Sequence, residues 1–242
     1  MCGGLPSKGA GDSEGMIGFS LNYKNSLIEI ICDRDLQERA QQKLERLYNE
    51  LERYLQEEPF FLSSYEPLKA GKNSPEIAGI MALAAEQAGV GPMAAVAGTF
   101  SELLGRYLLN EGASEVIVEN GGDIFLRLRN ERLVGIYSGQ SEFSNKLALR
   151  VRPESTPLGI CTSSGSVGHS VSLGKADSVT VVAKSCSLAD AAATAVANQV
   201  DGPDGIQKGI EAAGKIRGIQ GALIIKGEEL GTYGILPKIV RA

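Results

Sequence analysis

The chain has no tryptophan and a single histidine, His169, so only one side chain has an ordinary pKa near neutrality. Its four cysteines, Cys2, Cys32, Cys161 and Cys186, stand far apart in no CxxC or other metal-ligand spacing. That excludes a zinc ribbon or finger and predicts reduced thiols, several of them buried. Dense runs of Lys or Arg are missing too, and 24 basic against 29 acidic residues leave a net charge of −5. Nucleic acid is therefore not an expected partner. Nowhere do ~18 apolar residues follow one another, so a membrane-spanning helix is not expected either. The opening MCGGLPSKGAGDSEG lacks the apolar core of a signal peptide and reads as a flexible tail over residues 1–15. A cytoplasmic location follows as an expectation, with a monomer and a homo-oligomer both left open.

What is present is apolar residue in quantity: 43% of 242 residues, enough to bury a sizeable core in one domain over residues 16–242. Residues 18–32 alternate and end in SLIEIIC, the pattern of a hairpin turning around Lys24 to Ser26. From Asp35 to Glu57 the period changes. Leu36, Ala40, Leu44, Leu47, Leu51 and Leu55 recur every three or four residues, which predicts a long amphipathic helix. Residues 59–73 read as a packed loop. Ser74-Pro75-Glu76 starts a helix with Ser as cap, ending near Gly89, and a further helix is predicted from Met93 to Asn110.

The texture then turns to strands. EVIVEN, DIFLRLR, RLVGIYS, KLALRVR and PLGICTS are short, β-rich runs separated by turn residues, and they predict an antiparallel meander. SVTVVAK follows as a buried strand, SLADAAATAVANQV and residues 204–213 as helices, and GALIIK with the last residues as a closing strand pair. Helices inserted among hairpins, without strict strand-helix alternation, predict an α+β fold with helices packed on antiparallel sheets.

Three constellations could carry chemistry. Asn120-Gly121-Gly122-Asp123 joins two strands and reads either as a hairpin turn or as a backbone cradle open to a ligand. Cys161-Thr162-Ser163-Ser164-Gly165, with His169 four residues on, offers hydroxyls, amides and an imidazole able to move a proton. No G-x-S-x-G elbow surrounds these serines, which argues against a nucleophilic triad. The third is Asp190 with Thr194, one helical turn apart in an alanine-rich run. Ser187 and Asp190 fit the S-x-x-D capping box, which accounts for the acid but not for a β-branched threonine. A carboxylate and a hydroxyl on one helix face can also hold Mg²⁺ or Ca²⁺, and two protein ligands suffice for Mg²⁺ when water and phosphates fill its remaining positions.

Taken in order, these pieces resemble the ApbE family of flavin transferases. Gly98 in VAGTFSE, Gly121-Gly122-Asp123-Ile124, Thr162-Ser163-Ser164-Gly165 before His169, Ser178-Val179-Thr180-Val181 and Ala189-Asp190-Ala191-Ala192-Ala193-Thr194-Ala195 follow the family pattern from about Ala94 to Asn198. The string HSVSLGKADSVTVVAKSCSLADAAAT is closer still to the UPF0280 (DUF375) branch. The resemblance implies an ApbE-like (T-fold-like) domain in which the loops after EVIVE and GICTS meet the helix carrying Asp190. By resemblance Asp190 and Thr194 are Mg²⁺ ligands, Gly98, Gly121, Gly122, Asp123, Thr162 and Ser163 contact FAD or its pocket, and His169 is catalytic. The implied activity is Mg²⁺-dependent transfer of FMN from FAD to a protein acceptor. A binding protein for a small phosphorylated or acidic metabolite on the same fold is the alternative. The chain departs from the pattern after His169, where Ser170-Val171-Ser172 replaces an Asp-Pro segment, and at Ala97 and Glu102, where the family has lysine and aspartate.

Overall fold

A computed structural model describes residues 15–24, 26–163 and 175–242. The predicted first hairpin forms from β1 (Ile17–Tyr23) and β2 (Ser26–Cys32), and the leucine spacing becomes α1 (Gln37–Glu57), which buries Ala40, Leu44, Leu47 and Leu51. Residues 59–63, read as loop, make a single short helix α2 (Pro59–Ser63), because Pro59 suits a first turn and Phe61 finds a buried edge contact with Tyr54. α3 (Glu76–Ala88) begins without the expected Ser74 cap. Pro75 occupies the cap position in an extended conformation, and the helix ends at Gly89 with φ +74°. After a 3₁₀ turn over Pro92–Ala95, α4 (Val96–Asn110) completes the helical half.

The strands do not form one meander. β3 (Val116–Asn120) and β4 (Asp123–Arg127) pair as predicted, but β4 then pairs with β7 (Leu158–Ser163). β5 (Arg132–Ile136) and β6 (Leu147–Val151) peel away. They join the last strand, β11 (Lys238–Arg241), in a separate three-stranded sheet. The main sheet continues through β8 (Ser178–Ala183), β9 (Ile219–Lys226) and β10 (Glu229–Gly234) in the order β1-β2-β3-β4-β7-β8-β9-β10, antiparallel throughout. So GALIIK pairs with β10, and the final residues cross to β6 instead of closing against it.

The reason lies in burial on both sheet faces. Val116, Val118, Phe125, Val179 and Val181 point into a core shared with the helices. Their neighbours Ile117, Leu126, Val182 and Leu223 point the other way and are covered by Leu149, Val151 and Ile136 of the small sheet. A strand apolar on both sides needs a cover on each. The result is three layers: helices, the eight-stranded sheet and the three-stranded sheet.

The last two helices are α5 (Cys186–Ala197) and α6 (Gly205–Lys215). α5 is wholly buried along its inner face and crosses α4 so closely that a Cβ on Gly98 would lie 2.6 Å from the Cys186 carbonyl oxygen and 2.7 Å from Asp190 Cβ. Glycine is therefore required there by packing. Gly98→Ala should destabilise the ligand-free protein by about 1–3 kcal/mol, the usual cost of overpacking, measured as a lower urea midpoint.

Candidate functional site

Asp190 sits in the first half of α5 but serves another helix. Its Oδ2 accepts the Gly98 N–H at 2.8 Å, and the Ala97 amide adds to the hold. Both amides belong to the open first turn of α4, which has no cap from its own side chains. The capping-box alternative for Asp190 is thus not what forms. Ser185 is the cap of α5, accepting the Leu188 N–H at 3.2 Å.

The counterpart is Glu102 on α4. Its Oε2 accepts from Ser185 Oγ at 3.0 Å, Ser187 N at 3.1 Å and Ser187 Oγ at 3.2 Å, and Arg106 binds Oε1 at 2.6 Å. Each helix supplies a carboxylate to the start of the other. In the sequence Glu102 stands out only as a departure from the family pattern. Its i,i+4 spacing to Arg106 was the one local sign that it is anchored.

Above this junction lies a cavity of about 1590 Å³. Gly121, Asp123, Thr162, Ser163, Asp190 and Thr194 all line it, so the loops after β3 and β7 do meet α5. Gly98 and Gly122 are not among the lining residues. Gly121 and Gly122 have φ of +66° and +101° and close a two-residue hairpin, so the tight turn and the cavity wall are the same structure. Thr162 Oγ1 is 2.9 Å from Thr180 Oγ1. His169, with Ser164 and Gly165, lies outside the described residues, as does the tail over residues 1–14.

Further lining comes from residues that no motif marked. Tyr48, Phe100, Leu62 and Tyr65 form an apolar and aromatic wall, and Lys208 and Lys215, two turns apart on one face of α6, line another part. The seven-residue spacing of those lysines was visible in the sequence. Among the described lining residues they are the only cations, against Glu52, Glu86, Asp123, Asp190 and Glu211.

Burial drives the site's titration. The Asp190 carboxyl is pushed well above the usual carboxylate range by desolvation and then by the charge of Asp123, against the pull of the Gly98 and Ala97 amides. Asp123 is raised to about 7, chiefly by burial; the Cys161 thiol and the Thr162 amide oppose this, and Glu119 adds to it. Glu119, on the opposite face, also reaches about 7 through burial and its cross-strand partner Glu29. The Cys161 and Cys186 sulfurs lie 3.5 Å apart, both buried, and burial raises the Cys161 thiol and takes Cys186 to about 11. These are protonated, unreactive thiols.

Asp123 and Asp190 are both raised above their unfolded value of 3.8, Asp123 to about 7, so the native state binds more protons above that unfolded value. Their contribution to stability is full at low pH and lost as pH rises through the folded pKa. The melting temperature of the metal-free protein should therefore fall between about pH 5 and 8, and Asp123→Asn should flatten that slope. Glu119→Gln, on the far face, supplies the control for the remaining slope.

Comparison with known proteins agrees with this architecture. A family model described as "AbpE bacteria" matches residues 12–217. A UPF0280 protein of Methanococcus maripaludis is 47% identical over 195 residues, covering 79% of each chain. One from Methanocaldococcus jannaschii is 44% identical over 197 residues, covering 79% of this chain and 80% of its own. Among solved structures, a mutant of the flavin transferase ApbE from Vibrio cholerae superposes with a TM-score of 0.60 at 15% identity, over 90% of this chain and 96% of the other. The flavinyl transferase ApbE of Pseudomonas stutzeri, in apo form, gives 0.59 at 14%, over 92% and 94%. Those two likenesses speak for the fold, and the sequence matches for descent: the chain belongs to the UPF0280 family of ApbE-like proteins.

Proposed function

We propose that this protein binds FAD in the cavity together with Mg²⁺ and transfers FMN to a hydroxyl of a protein acceptor. The observation that carries the reading is that Asp190 and Thr194, one turn apart on α5, both open onto a cavity large enough for a dinucleotide. The donor set suits the ion. Carboxylate and hydroxyl oxygens are hard ligands, and the buried Asp123 Oδ1 beside them has no hydrogen-bond partner. When bound, Mg²⁺ would neutralise pyrophosphate charge and stabilise the leaving phosphate.

The chain's own residues account for the rest. Glu52, Glu86 and Glu211 line the cavity, and Asp123 and Asp190 add negative charge once they ionise, so binding of an anionic ligand is expected to depend on a cation. Lys208 and Lys215 draw the anionic part of the ligand toward α6, while Tyr48, Phe100 and Tyr65 offer apolar surface for the rings. In the reaction the acceptor oxygen forms a bond to the FMN phosphorus, the bond to AMP breaks, and the hydroxyl proton passes to His169, the chain's sole imidazole.

Purified protein given FAD, MgCl₂ and a lysate fraction as acceptor source should release AMP and label a protein with flavin, as read by chromatography and in-gel fluorescence. Asp190→Asn should lower AMP release more than about 10-fold, the least that loss of even an outer-shell partner costs. FAD affinity that ignores both Mg²⁺ and Asp190 would instead favour a metal-independent binding protein. Lys208→Glu with Lys215→Glu should weaken FAD binding about 5-fold at low salt and much less at high salt, measured by fluorescence titration.

A further inference from the structure

Asp123 is buried with one carboxylate oxygen that its surroundings leave unsatisfied, although the Cys161 thiol and the Thr162 amide act on the carboxyl. It opens β4 directly after the two-glycine turn, and Ser101 Oγ donates to its backbone carbonyl at 2.8 Å, tying that strand end to α4. The residue is 8% exposed, and its Oδ1 is buried with no hydrogen-bond donor. No Lys, Arg or His among the described residues pairs with it. A carboxylate oxygen withdrawn from water without a partner is costly, so such an atom implies an occupant.

Facing it from α5 is Asp190, which has no basic partner among the described residues and spends Oδ2 on the Gly98 amide. Thr194 stands one turn further along, and all three side chains line the same cavity. Two carboxylates on facing elements, neither paired with a Lys or Arg among the described residues, leave a concentration of negative charge that a bound positive ion or a proton relieves. The nearby soft donor is a protonated thiol: Cys161, the cross-strand partner of Asp123, lies 3.4 Å from the Cys186 carbonyl oxygen and also within hydrogen-bonding reach of the Asp123 carboxyl. What remains is a set of oxygens, which favours Mg²⁺ or Mn²⁺ over zinc.

We infer that Asp123 is a direct ligand of the divalent ion, bridging the glycine turn of β3 and β4 to the Asp190 and Thr194 pair on α5. This rests on the proposed ion site and extends it across the sheet-helix boundary. The glycine turn is then more than a cradle for the ligand: it sets the position of one ion ligand against two others that come from a helix.

The test uses Mn²⁺ alone, without nucleotide, titrated into full-length protein and followed by electron paramagnetic resonance. Wild type should bind one ion. Asp123→Asn, which keeps shape and removes charge, should weaken that binding at least about 10-fold, as should Asp190→Asn. A thermal melt checks that both variants fold. Asp123→Cys supplies an independent readout: a thiolate in the coordination sphere should shift preference from Mn²⁺ to Cd²⁺ and give an ultraviolet thiolate-to-cadmium absorption that wild type lacks. If Asp123→Asn binds Mn²⁺ as wild type does while Asp190→Asn does not, Asp123 carries only a proton and this inference fails, though the ion site of the proposed function survives. If wild type binds no Mn²⁺, both fall together.

Discussion

Two helices that are distant in sequence start each other. The carboxylate of Asp190 on α5 closes the open amides at the beginning of α4, and the carboxylate of Glu102 on α4 closes those at the beginning of α5. The arrangement satisfies donors that neither helix satisfies alone. It also fixes how near the helices come, which is why residue 98 has no side chain.

The rest of the site inherits its geometry from that exchange. With α5 held against α4, its next turn presents Thr194 to the cavity. The sheet below α5 brings Asp123 from β4 and Thr162 and Ser163 from β7 to the same opening. Close packing has a second consequence, seen at Gly159 on β7. A Cβ there would lie 2.4 Å from Cys186 Cα, so the strand and the helix start touch backbone to backbone. Such a site is close-packed along its floor, as the proposed set of ion ligands drawn from two elements would require. Its wider walls are chemically divided, aromatic toward α1 and α2 and cationic toward α6.

Much of this was legible in the residues, and what was not has a common cause. The leucine period of α1, the hairpin at Lys24 to Ser26 and the Asn-Gly-Gly-Asp turn are local signals, and each formed within a few residues of its predicted place. The ApbE-like α+β fold was legible through the order of motifs. The departure of β5 and β6 into their own sheet was not, because RLVGI and LALRV carry no mark of which sheet they will cover; only the apolar outer face of the main sheet decides it. Likewise the capping box at Ser187 and Asp190 was a sound local reading that lost to a partner 92 residues away. Lys208 and Lys215 shared a helical face in the sequence, but that the face looks into the cavity depends on how α6 packs.

The central claim is that oxygens of Asp123, Asp190 and Thr194 converge on one divalent ion at the floor of the cavity. Crystals of the protein grown with Mn²⁺, with diffraction collected for the metal's anomalous signal, test it most directly. The account predicts a single strong anomalous peak within bonding distance of all three side chains. A cavity floor without such a peak, or a peak elsewhere with the Asp123 carboxyl turned toward protein donors, would contradict it.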